Sequence, residues 1–418
     1  MLAINVCYSQ GTSNDGALQE LRKTPTAPAP NAAALGKFGD IPVSLSTGIP
    51  SISIPFYTYE DKQKGLNLSV QLSYHAGGNK VEDMPSNVGL GWALSAGGVI
   101  SRTMRGRPDD EFYYGYIGSA VLPNHNTLLY QPGVTIPSAS TPISEGICQL
   151  NSSDHYIAKT IAEATMDGET DIYQFSIGAV SGKFYFRKTG DIVLVTQSNL
   201  KITYTRSGGN SYFTEFVVTD GTGIKYIFNK PEWTDAQSND PTPPTPPAYI
   251  SSWYISKIIS ADGQDEILFT YSGTGALTYE GAFSDSYKTK VVGSSYSGTE
   301  MTSSYRSIIT TGQRISAINF PDGTELEFQY NFSRLDYVGD NGLTAVLVKN
   351  QGLQKRFNLS YDYFESPVCY TGTGCTPPLA GTVNDWYKRL RLKSVQQTDG
   401  TLTLPPYTFE YNATPLPH

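Results

Sequence analysis

The sequence predicts an all-β fold of antiparallel hairpins that extend laterally, joined by long irregular loops. Three observations carry this. Apolar and polar residues alternate with period 2 through much of the chain, turn formers recur every 8–12 residues or so, and composition favours strands and turns, with 40 Gly, 26 Pro, 29 Tyr, 17 Phe and 4 Trp in 418 residues.

Ile52, Ile54 and Phe56 alternate with smaller residues, and Leu66, Leu68, Val70, Leu72 and Tyr74 alternate with Asn67, Ser69, Gln71 and Ser73. Each is the pattern of a half-buried strand, and the Asp-Lys-Gln-Lys-Gly turn at 61–65 joins the two as a hairpin. Residues 115–165 scatter Pro123, Pro132, Pro137 and Pro142 among Ser, Thr and Asn and read as a long excursion. Strands resume at 172–177, 183–187, 192–196, 201–204, 213–218 and 224–228, the spacing of a meander. The proline rings of 240–247 favour polyproline II and block ladder pairing, so 231–249 reads as a stiff surface loop. The Ser-, Tyr-, Thr- and Gly-rich stretch 283–312 reads as another loop.

A weak repeat marks the second half. Strand, Asp-Gly turn and strand recur around Asp262-Gly263, Asp322-Gly323 and Asp399-Gly400, with a shorter copy at Asp220-Gly221. An Asp-Gly pair supplies the positive φ values of a tight hairpin turn, and the closing aromatics are placed to stack between neighbouring hairpins. Hairpins that bury a face only against their neighbours produce a laterally growing sheet with an unsatisfied end.

The charge balance, 30 Lys+Arg against 38 Asp+Glu and a net charge of -8, argues against a dedicated nucleic-acid binder. No apolar run reaches the roughly 18 residues of a membrane-spanning helix. Met1–Gln10 reads equally as the tail of a signal peptide, which implies export, or as a first strand, and Thr24–Pro30 is an extended Pro-spaced linker. The expected organisation is therefore a leader and linker over 1–35, a β region over 36–230, the Pro-rich loop, and a hairpin-repeat region over 250–418. Because the chain stops just after the strand-like run Tyr407–Tyr411, that last region reads as continuing into a longer polypeptide. Cys369 and Cys375 flank a flexible Tyr-Thr-Gly-Thr-Gly loop whose ends can meet, so a disulfide is expected there. Cys148 reads as a buried free thiol.

The segment from Gly65 to His75, followed by Gly89-Leu90-Gly91-Trp92, Gly97-Gly98 and the strand ending in Arg102, resembles the opening motif of Rhs/YD-repeat proteins and toxin-complex B subunits. Asp167-Gly168-Glu169, Ser181–Phe184, Trp253–Ile258 and Pro405–Tyr411 resemble Rhs proteins of Gram-negative bacteria with type IX secretion, so the likeness spans about residues 40–411. The resemblance implies the amino-terminal part of a β-shell that winds around a C-terminal, often toxin-like, cargo and delivers it. It implies a secreted or cell-surface location, and as partners the downstream part of the same polypeptide, its cargo and secretion machinery. The family's autoproteolytic core, toxin domain and dense Tyr-Asp repeats have no counterpart in these residues. Physically, Gly89, Gly91, Gly97 and Gly98 permit tight turns and close approach, and Trp92 fills the space they leave. A sugar-binding Trp platform is the rival.

Chemistry-bearing constellations are sparse. His75, His125, His155 and His418 show no metal or protease spacing, and no nucleophile elbow, phosphate loop or calcium loop is present. No enzyme activity, cofactor or metal is expected. Glu325-Leu326-Glu327 matches the Glu-x-Glu of ADP-ribosyltransferases but reads as the wet face of a strand, and Asp109-Asp110-Glu111 reads as a solvated turn. The expected function is a non-catalytic structural scaffold around a cargo, with a cell-surface adhesion or glycan-binding β module as the alternative.

Overall fold

The computed structural model describes residues 50–77, 83–111, 114–117, 167–178, 180–207, 212–238, 247–288, 300–366 and 387–412. All regular structure among them is strand, and the strands form two sheets. The small sheet has the order β1 (Ser51–Asp61), β2 (Leu66–His75), β3 (Trp92–Ser95). The first two are the expected hairpin. Leu66, Leu68, Val70 and Leu72 turn to the buried face, as their alternation requires.

The large sheet holds fifteen strands, every ladder antiparallel. It contains β4 (Gly98–Thr103), β5 (Ile172–Ile177), β6 (Val180–Phe186), β7 (Ile192–Leu194), β8 (Lys201–Arg206) and β9 (Phe213–Thr219). Then come β10 (Lys225–Ser238), β11 (Tyr249–Ile259), β12 (Glu266–Lys288), β13 (Glu300–Asn319) and β14 (Glu325–Ser333). The series ends with β15 (Asn341–Asn350), β16 (Leu353–Glu365), β17 (Lys388–Thr398) and β18 (Tyr407–Thr408). From β13 to β18 sequential hairpins add one strand after another, the lateral growth that the repeat predicts.

Four strands exchange neighbours in the middle. β10 pairs with β11 along Lys225–Thr234 and with β13 along Trp233–Ser238. β11 pairs with β4 through Ser252–Tyr254 and with β12 through Lys257–Ile259. β12 pairs with β13 along most of its length, so the cycle β10–β11–β12–β13 closes on itself.

Two cores result. Tyr173, Phe175, Phe184, Phe186, Phe213, Phe216 and Trp253 are fully buried. Phe186 stacks on Phe213 at 4.7 Å, and Phe184 meets Phe216 at 5.7 Å. Four strands separate β6 from β9 in the sheet order, so these contacts require the sheet to fold over onto itself. The second core lies under the small sheet, where Phe56 packs on Phe357 at 4.9 Å and Tyr57 and Tyr59 pack on Phe320 at 5.0 and 5.2 Å. Each large apolar side chain so buried contributes about 1.5–3 kcal/mol.

Three expectations are corrected. Within the stretch 283–312, residues 283–288 and 300–312 are strand, not loop: β12 and β13 pair through them as far as Lys288↔Glu300. Its Ser- and Thr-rich strands lack the apolar alternation that marks a half-buried strand, so the sequence pattern is silent there. The loop expected over 231–249 is shorter at its start, because β10 continues through Pro231 to Ser238. Pro231 falls between the stretch of β10 paired with β9, ending at Phe228, and the stretch paired with β13, beginning at Trp233. In that interval a missing N–H is tolerated. The strands on either side of the expected region boundary, β10 and β11, pair with each other, and Ser53–His418 is one compact unit.

The third correction concerns the Asp-Gly turns. Only the glycine adopts positive φ at Gly263 (74°), Gly323 (80°) and Gly400 (94°), and at the fourth turn Gly223 (95°) does so instead of Gly221. The Gly263 N–H donates to the Ser260 carbonyl at 3.0 Å and the Ser260 N–H to the Asp265 carbonyl at 2.9 Å. This is the longer hairpin turn ending in one left-handed residue, where a two-residue turn would need two. The aspartate serves as a cap instead. Oδ1 of Asp220 accepts the Thr222 N–H at 2.9 Å, that of Asp322 the Thr324 N–H at 2.9 Å, and that of Asp399 the Leu402 N–H at 2.7 Å. At Asp262, Oδ1 accepts the Ser260 hydroxyl and the Gln264 N–H.

Alanine at Gly263, Gly323 or Gly400 is expected to lower stability by about 1 kcal/mol each, because φ there is left-handed although the space is open. Asparagine at the same positions should recover most of the loss. Thermal melts followed by circular dichroism measure this, and unchanged melting in all three alanine variants would contradict the turn geometry.

Candidate functional site

The Gly-Leu-Gly-Trp segment lies where the small sheet meets the β15–β18 end of the large one. The Leu90 N–H donates to the Leu390 carbonyl at 2.8 Å, and the Leu343 N–H donates to the Asn87 carbonyl at 2.9 Å. A Cβ on Gly89 would lie 2.9 Å from the Leu392 nitrogen, and one on Gly91 would lie 2.8 Å from the Tyr74 ring. Gly98 would meet Ile177 at 2.6 Å, and Gly97 would meet Ile255 and Phe269 at 3.3 Å. All four glycines are thus sites of close approach, as expected. Trp92 is buried against Tyr74 (5.1 Å) and Phe409 (4.8 Å), and its Nε1–H donates to the Tyr411 hydroxyl at 2.8 Å, 319 residues away in sequence. An indole so enclosed has no face free to serve as a sugar platform.

A buried arginine fastens the same segment. Arg334 donates from Nε and Nη2 to the two carboxylate oxygens of Asp336 (3.0 and 2.9 Å), from Nη1 to Asp340 (2.9 Å), and from Nη2 to the Pro85 carbonyl (3.0 Å). Asp336 in turn accepts the Leu390 N–H at 2.9 Å. One fork therefore ties the β14–β15 connection to the segment before Gly89 and to β17. Sequence reasoning missed Arg334, whose only local signal is the Arg-Leu-Asp spacing.

Arg102, the last residue of the motif, organises a second buried cluster. Its Nη2 donates to Asp110 at 2.9 Å, its Nε lies 3.7 Å from Asp171, and its guanidinium sits over the Trp253 and Tyr173 rings at 5.1 and 5.3 Å. Asp110 also accepts the Phe213 N–H at 2.8 Å. Asp109 and Asp171 exchange backbone hydrogen bonds, each carboxylate accepting the other's N–H at 3.0 and 3.2 Å. Asp109 and Asp110 are thus buried, not the solvated turn expected from Asp109-Asp110-Glu111. Glu111 pairs with Arg107 at 2.7 Å. The partners that bury the two aspartates, Asp171 and Phe213, lie across the 115–165 excursion, so local spacing could not show them.

One guanidinium faces several carboxyls here. Burial raises Asp109 above the usual carboxylate range, and the Asp171 charge adds to it. Burial likewise raises Asp171, and it pushes Asp167 up to about 7. The arrangement can hold protons on buried carboxyl groups near neutral pH.

The remaining candidates stand apart. His75 ends β2 with its backbone N–H on the Gly91 carbonyl at 2.8 Å. Glu325 and Glu327 flank buried Leu326 on the partly exposed face of β14, with Glu327 paired to Lys349. Among the described residues no cluster of His, Cys, Asp and Glu has the geometry to hold a metal ion. Cys7, Cys148, Cys369, Cys375, His125, His155 and His418, with the leader, the 118–166 excursion and the 239–246 proline run, lie outside the described residues. No family model matches the chain, and no curated protein matches it.

Two outcomes are expected. Arg334→Met should cost about 3–5 kcal/mol in chemical denaturation, because it leaves Asp336 buried without its cation and Asp340 with only Arg314. A loss under about 1 kcal/mol would contradict the fastening role. Asp167 has a folded pKa above its unfolded value near 4, so its contribution to stability is full below that value and is lost as pH rises through about 7. The melting temperature should therefore rise as the buffer is taken from about pH 8 to about pH 5.5, and Asp167→Asn should flatten part of that slope. Equal slopes in the two proteins would show that Asp167 does not carry the effect.

Proposed function

We propose that this chain is a non-catalytic structural part of a secreted or cell-surface β-shell of the Rhs type, which encloses and delivers a cargo carried further along the same polypeptide. The observation that carries the proposal is the sheet's mode of growth. Strand after strand is added in antiparallel order, two of the hairpins capped by Asp322 and Asp399, the sheet folds over onto itself, and its outermost ladder is the two-residue β18. Leu402, Leu404 and Tyr407 stand exposed beside that edge, Leu402 and Tyr407 at 60% and 66%. An open edge carrying apolar side chains is a template for another strand, which is what a continuing shell supplies.

The sequence resemblance over residues 40–411 supports the same reading, and the residues of its motif are occupied in packing, Gly89 and Trp92 between the two sheets and Gly98 and Arg102 within the large one. Cargo, partners and the exit route across the outer membrane follow from that resemblance. Size-exclusion chromatography with light scattering on the full 418-residue chain tests the open edge. The chain is expected to self-associate as its concentration rises, and the double variant Leu402→Lys, Tyr407→Lys to remain monomeric. A wild-type chain that stays monomeric and melts in one sharp transition, with the variant indistinguishable, would overturn the shell reading in favour of a self-contained module.

A further inference from the structure

The four-strand exchange leaves an opening that nothing above explains. Where β11 passes from β4 to β12, and β13 from β10 to β14, the ladders part and a cleft of about 750 Å³ forms between the large sheet and β2 and β3. Its large-sheet wall presents Tyr254, Tyr271 and Tyr330 with Arg314, from four different strands. The opposite wall presents Asn67, Ser69 and Gln71 from β2, of which Asn67 and Ser69 are exposed.

We infer that this cleft is a binding site for a neutral oligosaccharide. The volume lies within the roughly 300–1,000 Å³ of ligand pockets. Its chemistry combines aromatic rings on one side with neutral amides and hydroxyls on the other, the pairing that a ring with an apolar face and an equatorial belt of hydroxyls requires. The one cation on the large-sheet wall, Arg314, lies 3.5 Å from Asp340, so an anion finds no free charge. The β2 and β3 wall interleaves Leu68 and Leu94 with Asn67, Ser69 and Gln71, so it offers a lipid chain no continuous apolar face.

Two further observations point to a ligand rather than to a packing fault. Tyr271 and Tyr330 both sit at interruptions of the ladder: the register shifts between Thr270 and Tyr271 against β13, and on both sides of Tyr330 against β15. Bulges re-aim side chains and gather beside functional sites. The buried Tyr330 hydroxyl makes no hydrogen bond of good geometry among the described residues, with the Asn87 side chain close by, and the Arg314 Nε is held only by the long 3.5 Å ion pair to Asp340. A buried donor left unmet is costly, and the hydroxyls of a sugar, or the water they displace, satisfy it. Arg314 also lies over the Tyr330 ring at 5.6 Å, which fixes its direction.

The site does not rest on the shell reading, because a cleft between two sheets binds or fails to bind whether or not β18 is extended. The test uses the full chain with tetra- to hexasaccharides of the cello, malto, xylo and N-acetylglucosamine series, followed by calorimetry and saturation-transfer NMR. At least one series is expected to bind with a dissociation constant between about 10 µM and about 1 mM. Tyr271→Ala should weaken it about tenfold or more, the exposed-wall pair Asn67→Ala, Gln71→Ala should do likewise, and Tyr407→Ala should leave it unchanged. Should Tyr271→Ala fail to fold, the exposed-wall pair decides. The inference is overturned if the folded chain binds none of these sugars at about 10 mM, or if binding survives in the folded cleft variants.

Discussion

The bidentate bond from Arg334 to Asp336 is the constraint through which the two sheets are held in register. A guanidinium almost wholly out of water is tolerated only when its fork is filled, and here Asp336, Asp340 and the Pro85 carbonyl fill it. Asp336 and Asp340 share the β14–β15 connection with Arg334 and Pro85 lies 249 residues away, so satisfying the charge fixes that connection against the segment before Gly89. With Pro85 anchored, Asn87 and Leu90 reach β15 and β17, and Gly89 lies so close to Leu392 that only hydrogen fits between them. The indole of Trp92 then has one place to go, against Phe409 and Tyr411. The apolar contacts supply most of the energy, while the ion pairs select which of several similar packings is adopted.

The Arg102 cluster plays the corresponding part in the aromatic core, with the opposite electrostatic balance. Arg334 and Arg314 face Asp336 and Asp340 in equal numbers, whereas Arg102 alone faces Asp109, Asp110 and Asp171, with Asp167 close by. Excess buried carboxylate is relieved by proton uptake, because desolvation penalises the charged form more than the neutral one. Where the sheet folds over onto itself, the joint is therefore tuned by pH, and the seam under the small sheet is balanced by its own arginines.

Much of the architecture is legible in the residues. The hairpin of β1 and β2, the meander from Ile172 onward and the hairpins around Asp322 and Asp399 are stated by alternation and by turn chemistry, both of which act within a few residues. What local pattern cannot carry is the identity of distant partners. Asp109 and Asp110 look like a wet turn because the groups that bury them come from β5 and β9. Arg334 looks ordinary because its carbonyl partner is 249 residues away. The strands through 283–312 escape notice because their register comes from pairing with each other and not from a buried face.

The neighbour exchange among β10–β13 follows from strand length. β12 and β13 have 23 and 20 residues, against six or seven for the strands of the meander other than the three-residue β7. β12 and β13 stay paired along most of their length, and it is the other edge of β13 that changes partner, from β10 to β14. Sheets twist by roughly 20–25° per strand, and so long a pair cannot hold one neighbour along its outer edge throughout without shearing the ladder. Exchanging partners part-way relieves the twist, and the cost is a local loss of ladder hydrogen bonds and the bulges at Tyr271 and Tyr330. A purely structural sheet would close that gap with aliphatic side chains. Here three tyrosines, an arginine and the amides of β2 share the lining with Leu68, Leu94, Ala96 and Ile315, and the Tyr271 and Tyr330 hydroxyls drawn out of water are a poor choice for packing alone. The twist thus explains why an opening exists, and the polar lining explains why a ligand is the better account of what it holds.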